Sequence, residues 1–259
     1  MTLPLKKIYI DTRFKTSDSS SNSDFKIQLP RSVSLPKNTV FYIENFVCSH
    51  AFFSVEDGIN NKFYFKLNSL FYTATIPPSN YNGTTFATAL QSAINTTASV
   101  THTVSFSINQ NCITITPSGS DHLFVLSDPE IFTSYSISHP NSTNDILNNN
   151  IGTYNTNANP YVSGTLNLLC FRNLYLTSAN LSSFTTLGAR GESNIIKKIP
   201  VSSDFGYLIL DSYTSNHDWL DCGNMSLSDI EFQLRDVKGN LTPLHGTRVS
   251  FSIVFSKTY

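Results

Sequence analysis

The chain has 259 residues, of which 14 % are charged, and a formal net charge of -1. That length suits one large β domain or two small ones and is ample to bury a core. Basic side chains are scattered, with only Lys6-Lys7 and Lys197-Lys198 adjacent; this excludes the basic stripe that grips phosphates, and no direct sequence-specific nucleic-acid binding is expected. No stretch approaches the roughly 18 apolar residues of a membrane-spanning helix. Ser, Thr and Asn make up about a third of the chain, beside 19 Phe and 12 Tyr. Thr and the aromatics suit strands, Ser and Asn suit turns and neutral polar surface.

Residues 1–24 read as an N-terminal arm. A short apolar tip, Ile8, Tyr9 and Ile10, precedes the polar run Thr16 to Ser23, which is expected to be mobile. Alternation begins at Phe25-Lys26-Ile27-Gln28-Leu29 and is stopped by Pro30. Thr39 to Phe53 is a long apolar strand, followed by an Asp57-Gly58 turn and strands around Phe63-Phe65-Leu67 and Phe71 to Ile76. One helix follows, capped by Thr84-Thr85, with Phe86, Leu90, Ala93 and Ile94 at helical spacing. Val104, Phe106 and Ile108 alternate, Gln110-Asn111 turns, and Ile113 and Ile115 return as a hairpin. An Asn-rich loop at about 138–163 breaks the rhythm, and connections of that length carry function or disorder. Strands resume at Leu166 to Phe171, Leu174 to Leu176, Ile195 to Val201 and Tyr207 to Leu210.

The C-terminal pattern is the clearest. Ile230, Phe232 and Leu234 alternate with polar residues, and after the turn at Asp236 to Asn240 so do Val249, Phe251, Ile253 and Phe255. A period of two puts these on one face. Phe232, Leu234, Phe251 and Phe255 are therefore expected in the core, on adjacent antiparallel strands. Many short strands, turn signals and one short helix indicate an all-β sandwich of jelly-roll type. The fold expected is a single jelly-roll over 25–259 carrying long loop insertions.

Residue patterns for chemistry are sparse. The sequence has no glycine-rich phosphate loop and no G-x-S-x-G elbow. Six histidines show no His-x-His or His-x-x-x-His spacing. The densest polar cluster is His217, Asp218, Asp221 and Cys222 around Trp219, in a segment that reads as a polar loop with the indole tucked beneath it. Cys48, Cys112, Cys170 and Cys222 are widely spaced, and no apolar run of signal-peptide length opens the chain, so four reduced thiols are expected. Arg190-Gly191-Glu192 is expected to be a surface turn. No catalytic residue, cofactor or metal is assigned.

The order of the pieces carries a resemblance. Tyr9-Ile10-Asp11-Thr12-Arg13 leads to Asp24-Phe25-Lys26-Ile27-Gln28-Leu29-Pro30, then Phe41-Tyr42-Ile43-Glu44-Asn45, Asn60-Asn61-Lys62-Phe63-Tyr64-Phe65 and Tyr81-Asn82-Gly83 before the helix. Later come Leu174 to Leu181, Asn194 to Val201, Ile230 to Asp236 and the closing Phe251-Ser252-Ile253 strand. Across nearly the whole chain this resembles the minor capsid, or penton, proteins of Maverick/Polinton elements, adintoviruses and virophages. The resemblance implies a non-enzymatic virion protein made inside the host cell. It implies a homo-pentamer at the five-fold vertices of an icosahedral capsid, beside a double jelly-roll major capsid protein. The polar run with its apolar tip is itself expected to dock on neighbouring subunits or the major capsid protein through Ile8, Tyr9 and Ile10, so that deleting 1–14 leaves the fold intact but weakens assembly. Two other readings stay open from the residues alone. One is a jelly-roll receptor- or glycan-binding module of a viral spike, using loops around Trp219 and Tyr154 to Tyr161. The other is a jelly-roll enzyme of the metal dioxygenase kind, which needs converging histidines and a carboxylate.

Overall fold

A computed structural model describes residues 5–137, 141–149, 160–181, 185–213 and 218–257. The chain divides into two compact units: residues up to Phe52 together with those from Phe171 onward, and the continuous stretch Phe53–Cys170. In chain order the first unit contributes β1 (Lys6–Asp11), β2 (Asp24–Ser34) and β3 (Thr39–Ser49). The second holds β4 (Lys62–Leu67), β5 (Leu70–Thr75), α1 (Gly83–Ala98), β6 (Thr103–Ser107), β7 (Cys112–Thr116), β8 (Leu123–Val125), α2 (Asp128–Tyr135), α3 (Asn144–Leu147) and β9 (Tyr161–Val162). The first unit resumes with β10 (Asn173–Thr177), β11 (Ile195–Pro200), β12 (Leu208–Asp211), β13 (Leu220–Asp221), β14 (Ser226–Arg235) and β15 (Val249–Lys257).

The first unit is a sandwich of two antiparallel sheets. One runs β1-β15-β3-β12, with the two-residue β13 also on β3; the other runs β11-β10-β14-β2. Leaving β13 aside, the eight strands follow the order of a jelly-roll, each passing to the sheet opposite the one before it except β11, which pairs beside β10. The sequence builds it through period-two alternation. In β14, Ile230, Phe232 and Leu234 are buried while Glu231, Gln233 and Arg235 face out. Phe232 sits opposite Phe25 of β2, rings 5.3 Å apart. Across the sandwich the Phe232 ring meets Phe251 edge-on at 5.1 Å, and Phe251 stacks on Phe46 at 6.1 Å. Phe255 packs on Phe41 at 6.2 Å.

Three expectations change here. Phe232, Leu234, Phe251 and Phe255 are all buried, but β14 and β15 are not neighbours in one sheet. They lie in opposite sheets and meet through their side chains: the Asp236–Asn240 turn closes only a one-bridge return, Arg235 against Leu241, and residues 243–248 then carry the chain across to β15. The arm is not a tail. Ile8, Tyr9 and Ile10 belong to β1, paired along its length with β15 from Lys6↔Phe255 to Asp11↔Ser250, with Ile10 buried and Tyr9 exposed. The same alternation that makes an apolar tip makes a half-buried edge strand. The polar run after it is tied down as well. Thr16 N–H donates to Lys26 O at 2.9 Å, and Asn22 Nδ2 donates to Thr247 O at 2.8 Å. Finally, the jelly-roll starts at β1, not at residue 25, and residues 53–170 leave it to form their own unit.

The second unit packs α1 with the sheets β5-β4-β8 and β6-β7-β9 around Phe63, Phe65, Ile76, Phe86, Leu90, Ile94, Ile113 and Ile115. Helix α1 is capped by Asn82, not by Thr84-Thr85. The Asn82 side chain accepts from Thr85 N–H at 2.9 Å, and Thr85 Oγ1 accepts from Asn82 N–H at 3.0 Å, a reciprocal capping box. Two further helices exist. Helix α2 begins at Ser127, whose backbone N–H donates to Glu130 Oε2 at 2.8 Å; at eight residues it is too short to show a helical period. Helix α3 lies in the Asn-rich stretch and buries Ile146 and Leu147. Residues 138–140 and 150–159 of that stretch lie outside the described residues.

Candidate assembly surfaces

The two sheets of the first unit present outer faces of opposite character. On the β11-β10-β14-β2 sheet, Lys26 pairs with Asp229 at 3.1 Å and reaches Glu231 at 3.8 Å. Beside them Gln233 Nε2 donates to Asp24 Oδ1 at 3.1 Å, and Arg235 Nη2 donates to Gln233 Oε1 at 2.7 Å. The hydrogen bond to Asp229 raises the Lys26 ammonium above its ordinary value, and the Ser228 hydroxyl, followed by Lys26, lowers the Asp229 carboxyl. This is the polar exterior expected of an antiparallel sheet facing water, and its ion pairs add little stability.

The outer face of the β1-β15-β3-β12 sheet is mostly neutral. Lys7 bridges to Glu44 across β15, and Tyr42 stacks on Trp219 with ring centroids 6.2 Å apart. Ser252 and Val254 of β15 lie buried between these neighbours. Toward β12, Leu208 and Leu210 are exposed, flanked by Tyr207 and Tyr213. An open groove of about 530 Å³ runs beside β12, lined by Ser202, Ser203, Asp204, Tyr207 and Leu208. At the opposite edge of the same sheet, Leu5, Tyr9 and Phe14 are exposed.

One polar device was not legible in the sequence. Lys197, on β11 of one sheet, reaches Asp211, on β12 of the other, at 3.6 Å, and its Nζ donates to Tyr213 O at 2.7 Å. Their side chains are only 7 % and 11 % exposed. In the sequence Lys197 is half of a basic pair that looks solvated. Only the burial of its neighbours Ile196 and Ile199 could have hinted at its course.

The other residues weighed as sites are now placed. His217 lies outside the described residues; among the described ones, no three His, Cys, Asp or Glu side chains gather into a group able to hold a metal. Trp219 is not tucked under its loop but well exposed on the Tyr42 ring. Tyr154 lies outside the described residues, and Tyr161 is buried, its hydroxyl donating to Asn149 Oδ1 at 3.0 Å. The four cysteines are unbridged, and burial pushes the Cys48 and Cys222 thiols up to about 12. Arg190 and Glu192 sit on an exposed turn, where the Arg190 backbone N–H donates to Glu192 Oε2 at 3.0 Å. In the second unit, an open groove of about 580 Å³ between α1 and β5 is lined by Thr, Ser, Ala and Pro without a charged side chain. Among the described residues, no helix is long and apolar enough to cross a membrane.

Two four-stranded antiparallel sheets in jelly-roll order, with an independent unit inserted between the third and fourth strands, define an all-β single jelly-roll protein. Among solved structures the chain is similar to the mavirus penton protein. The match covers 98 % of this chain and 100 % of that one, with a TM-score of 0.51 at 10 % sequence identity. At that identity the likeness is one of fold. No family model and no curated protein matches the chain.

Proposed function

We propose that this chain is a structural capsid protein of the penton type, forming pentamers at the five-fold vertices of an icosahedral virus-like capsid. The observation that carries the reading is likeness to a penton protein over almost the full length of both chains. The contrast between the two sheet exteriors supports it, since a ring subunit needs surfaces suited to neighbours as well as to water. Five copies about one axis require a head-to-tail contact whose rotation closes. A double jelly-roll major capsid protein would form the rest of the shell, and the mature protein would reside in the virion after synthesis inside the host cell. No catalytic role is assigned.

Electron microscopy of particles co-assembled from this protein and its major capsid partner tests the reading. Density for the chain at the five-fold vertices is expected; density elsewhere, or none, defeats it. The stacked Tyr42–Trp219 pair, with its indole exposed, favours a glycan-binding module, because aromatic rings suit sugar faces. Specific hits on a glycan array that vanish in Trp219→Ala, from a protein that does not enter shells, would select that reading.

A further inference from the structure

We infer that the open groove between α1 and β5 is a strand-addition site, which takes an extended, uncharged segment of a partner chain onto the free edge of β5. The inference goes beyond the vertex reading and does not depend on it.

Three observations carry it. The first is the direction of main-chain groups. β5 is an edge strand, paired with β4 alone. On β4, Tyr64 O accepts from Leu126 N–H at 3.0 Å and Lys62 O accepts from Thr143 N–H at 2.8 Å, so these two residues turn away from β5. Alternate residues of a strand face alternate neighbours. Phe63 and Phe65 therefore hold the bonds to β5, opposite Ala74 and Tyr72. Phe71, Thr73 and Thr75 are left with N–H and C=O groups directed out of the sheet. Thr73 and Thr75, with Pro77, form the β5 side of the groove. Each of the two threonines supplies one donor and one acceptor there.

The second is the lack of a guard. Edge strands are commonly protected by charged side chains, proline or bulges. β1 carries Lys6 and Lys7, β2 carries Lys26 and Arg31, and β11 carries Lys197 and Lys198. β5 carries no charge, and its register with β4 runs from Lys62↔Thr75 to Leu67↔Leu70 without a shift. Proline arrives only past its end, at Pro77-Pro78.

The third is the chemistry of the slot. Its far wall is α1, where Thr85, Thr88, Ser92 and Thr96 follow one another in steps of three or four, with Ala89 and Ala93 between them. Short side chains keep it open, and its volume of about 580 Å³ falls within the roughly 300–1,000 Å³ of ligand sites. From Phe71 to Thr75 the edge spans roughly 14 Å, room for about five extended residues. No Asp, Glu, Lys or Arg occurs from Leu67 to Ser120, and Lys62, bonded through Nζ to Thr75 Oγ1 at 2.8 Å, is not part of the lining. A charged side chain entering the slot would lose water and meet no opposite charge, so the occupant is uncharged where it lies there. With a helix across from the strand, a free extended segment fits, whereas the edge strand of a folded copy brings its own sheet with it. In this mode main-chain hydrogen bonds give affinity and the flanking side chains select sequence.

The test is selection from a random linear peptide display library on the purified full chain. The enriched peptides are then titrated into wild type, Ser92→Trp and Thr73→Pro. Ser92→Trp fills the slot from an exposed helix position, Thr73→Pro removes an outward N–H of β5, and circular dichroism confirms that each variant is folded. Enriched peptides are expected to carry no charged side chain over their binding core. They should slow hydrogen exchange at the Thr73 and Thr75 amides, which in the free chain exchange faster than those of Tyr72 and Ala74. Each substitution should weaken binding by about tenfold or more. No enrichment, binding cores with charged residues, or affinities unchanged in Ser92→Trp overturn the inference. Thr73 and Thr75 amides already protected in a free chain that sediments as a dimer overturn it in favour of β5 pairing with a second copy. None of these outcomes bears on the vertex reading, which the co-assembled particles decide.

Discussion

Replacing Phe251 with Ala removes the ring at which the sandwich is joined. Phe251 sits on β15, a central strand with β1 on one side and β3 on the other. Its side chain is 3 % exposed, stacks on Phe46 of its own sheet and meets Phe232 of the opposite sheet edge-on. Its backbone lies opposite Ile10 of β1. The substitution therefore leaves a cavity between the sheets and deletes two aromatic contacts at once. Truncating a buried phenylalanine costs about 3–5 kcal/mol, and each aromatic pair is worth about 0.5–1.5 kcal/mol beyond buried area; the upper half of the first range is expected. For a domain of this size that corresponds to a fall in melting temperature of roughly 10 °C or more. Urea denaturation followed by intrinsic fluorescence measures it, with Tyr9→Ala as a surface control expected to change stability by no more than about 0.5 kcal/mol. A Phe251→Ala unfolding free energy within about 1 kcal/mol of wild type would refute the assignment of this ring to the junction.

Asp211→Ala leaves the nearly buried Lys197 ammonium without its carboxylate and should cost about 3–5 kcal/mol in the same assay. The double replacement of Lys197 and Asp211 by apolar residues should recover much of that loss. Deleting residues 1–14 removes β1 and bares the edge of β15, so lowered thermal stability is expected, in place of the unchanged fold that a detached arm would give. With their thiols raised to about 12 by burial, Cys48 and Cys222 should stay unmodified by iodoacetamide at pH 8 until the protein is unfolded, when mass spectrometry should count four alkylated cysteines. His102 is buried, accepts from Ser118 N–H at its Nδ1 at 3.0 Å, and has its pKa lowered by that burial, partly offset by Asp121. Its contribution is thus fully present above the unfolded value of about 6.5 and lost as pH falls. Stability measured from pH 7 to pH 5 should decline, and less steeply in His102→Gln.

Where one side of a strand faces the core, alternation made the structure readable. Phe25-Lys26-Ile27 and Ile230-Glu231-Phe232 declared both their strands and their buried faces, and α1 declared itself through Phe86, Leu90 and Ile94. Pairing was harder. In a jelly-roll, strands adjacent in sequence commonly lie in different sheets, and the turn at Asp236–Asn240 does not say that its return ends at Leu241 before the chain crosses to the other sheet. Short helices escaped because eight residues of α2 span barely two turns, although Ser127 and Glu130 stood in the sequence at capping-box spacing. The edge strand β1 was misread as an arm because its partner β15 lies more than two hundred residues away, and a half-buried edge has the same composition as a sticky tail. The apolar strip on β12 was visible only as a short strand, because the side of the sheet on which Leu208 and Leu210 emerge follows from the pairing of Ile209 with Cys48.

That long separation between β1 and β15 has a temporal meaning. The ribosome delivers β1 first, then β2 and β3, and then the whole of Phe53–Cys170, whose contacts close within a single continuous stretch. Domains with nearer contacts fold sooner, and synthesis proceeds at about 5–20 residues per second. The inserted unit should therefore be complete while the first strands still wait, unpaired, for β10 to β15. β15 lies between β1 and β3 in the sheet, so β1 has no hydrogen-bonding partner until that late strand emerges. Nascent chains on one polysome would then meet before this sheet is finished, and correct self-association is deferred to molecules that have already left it.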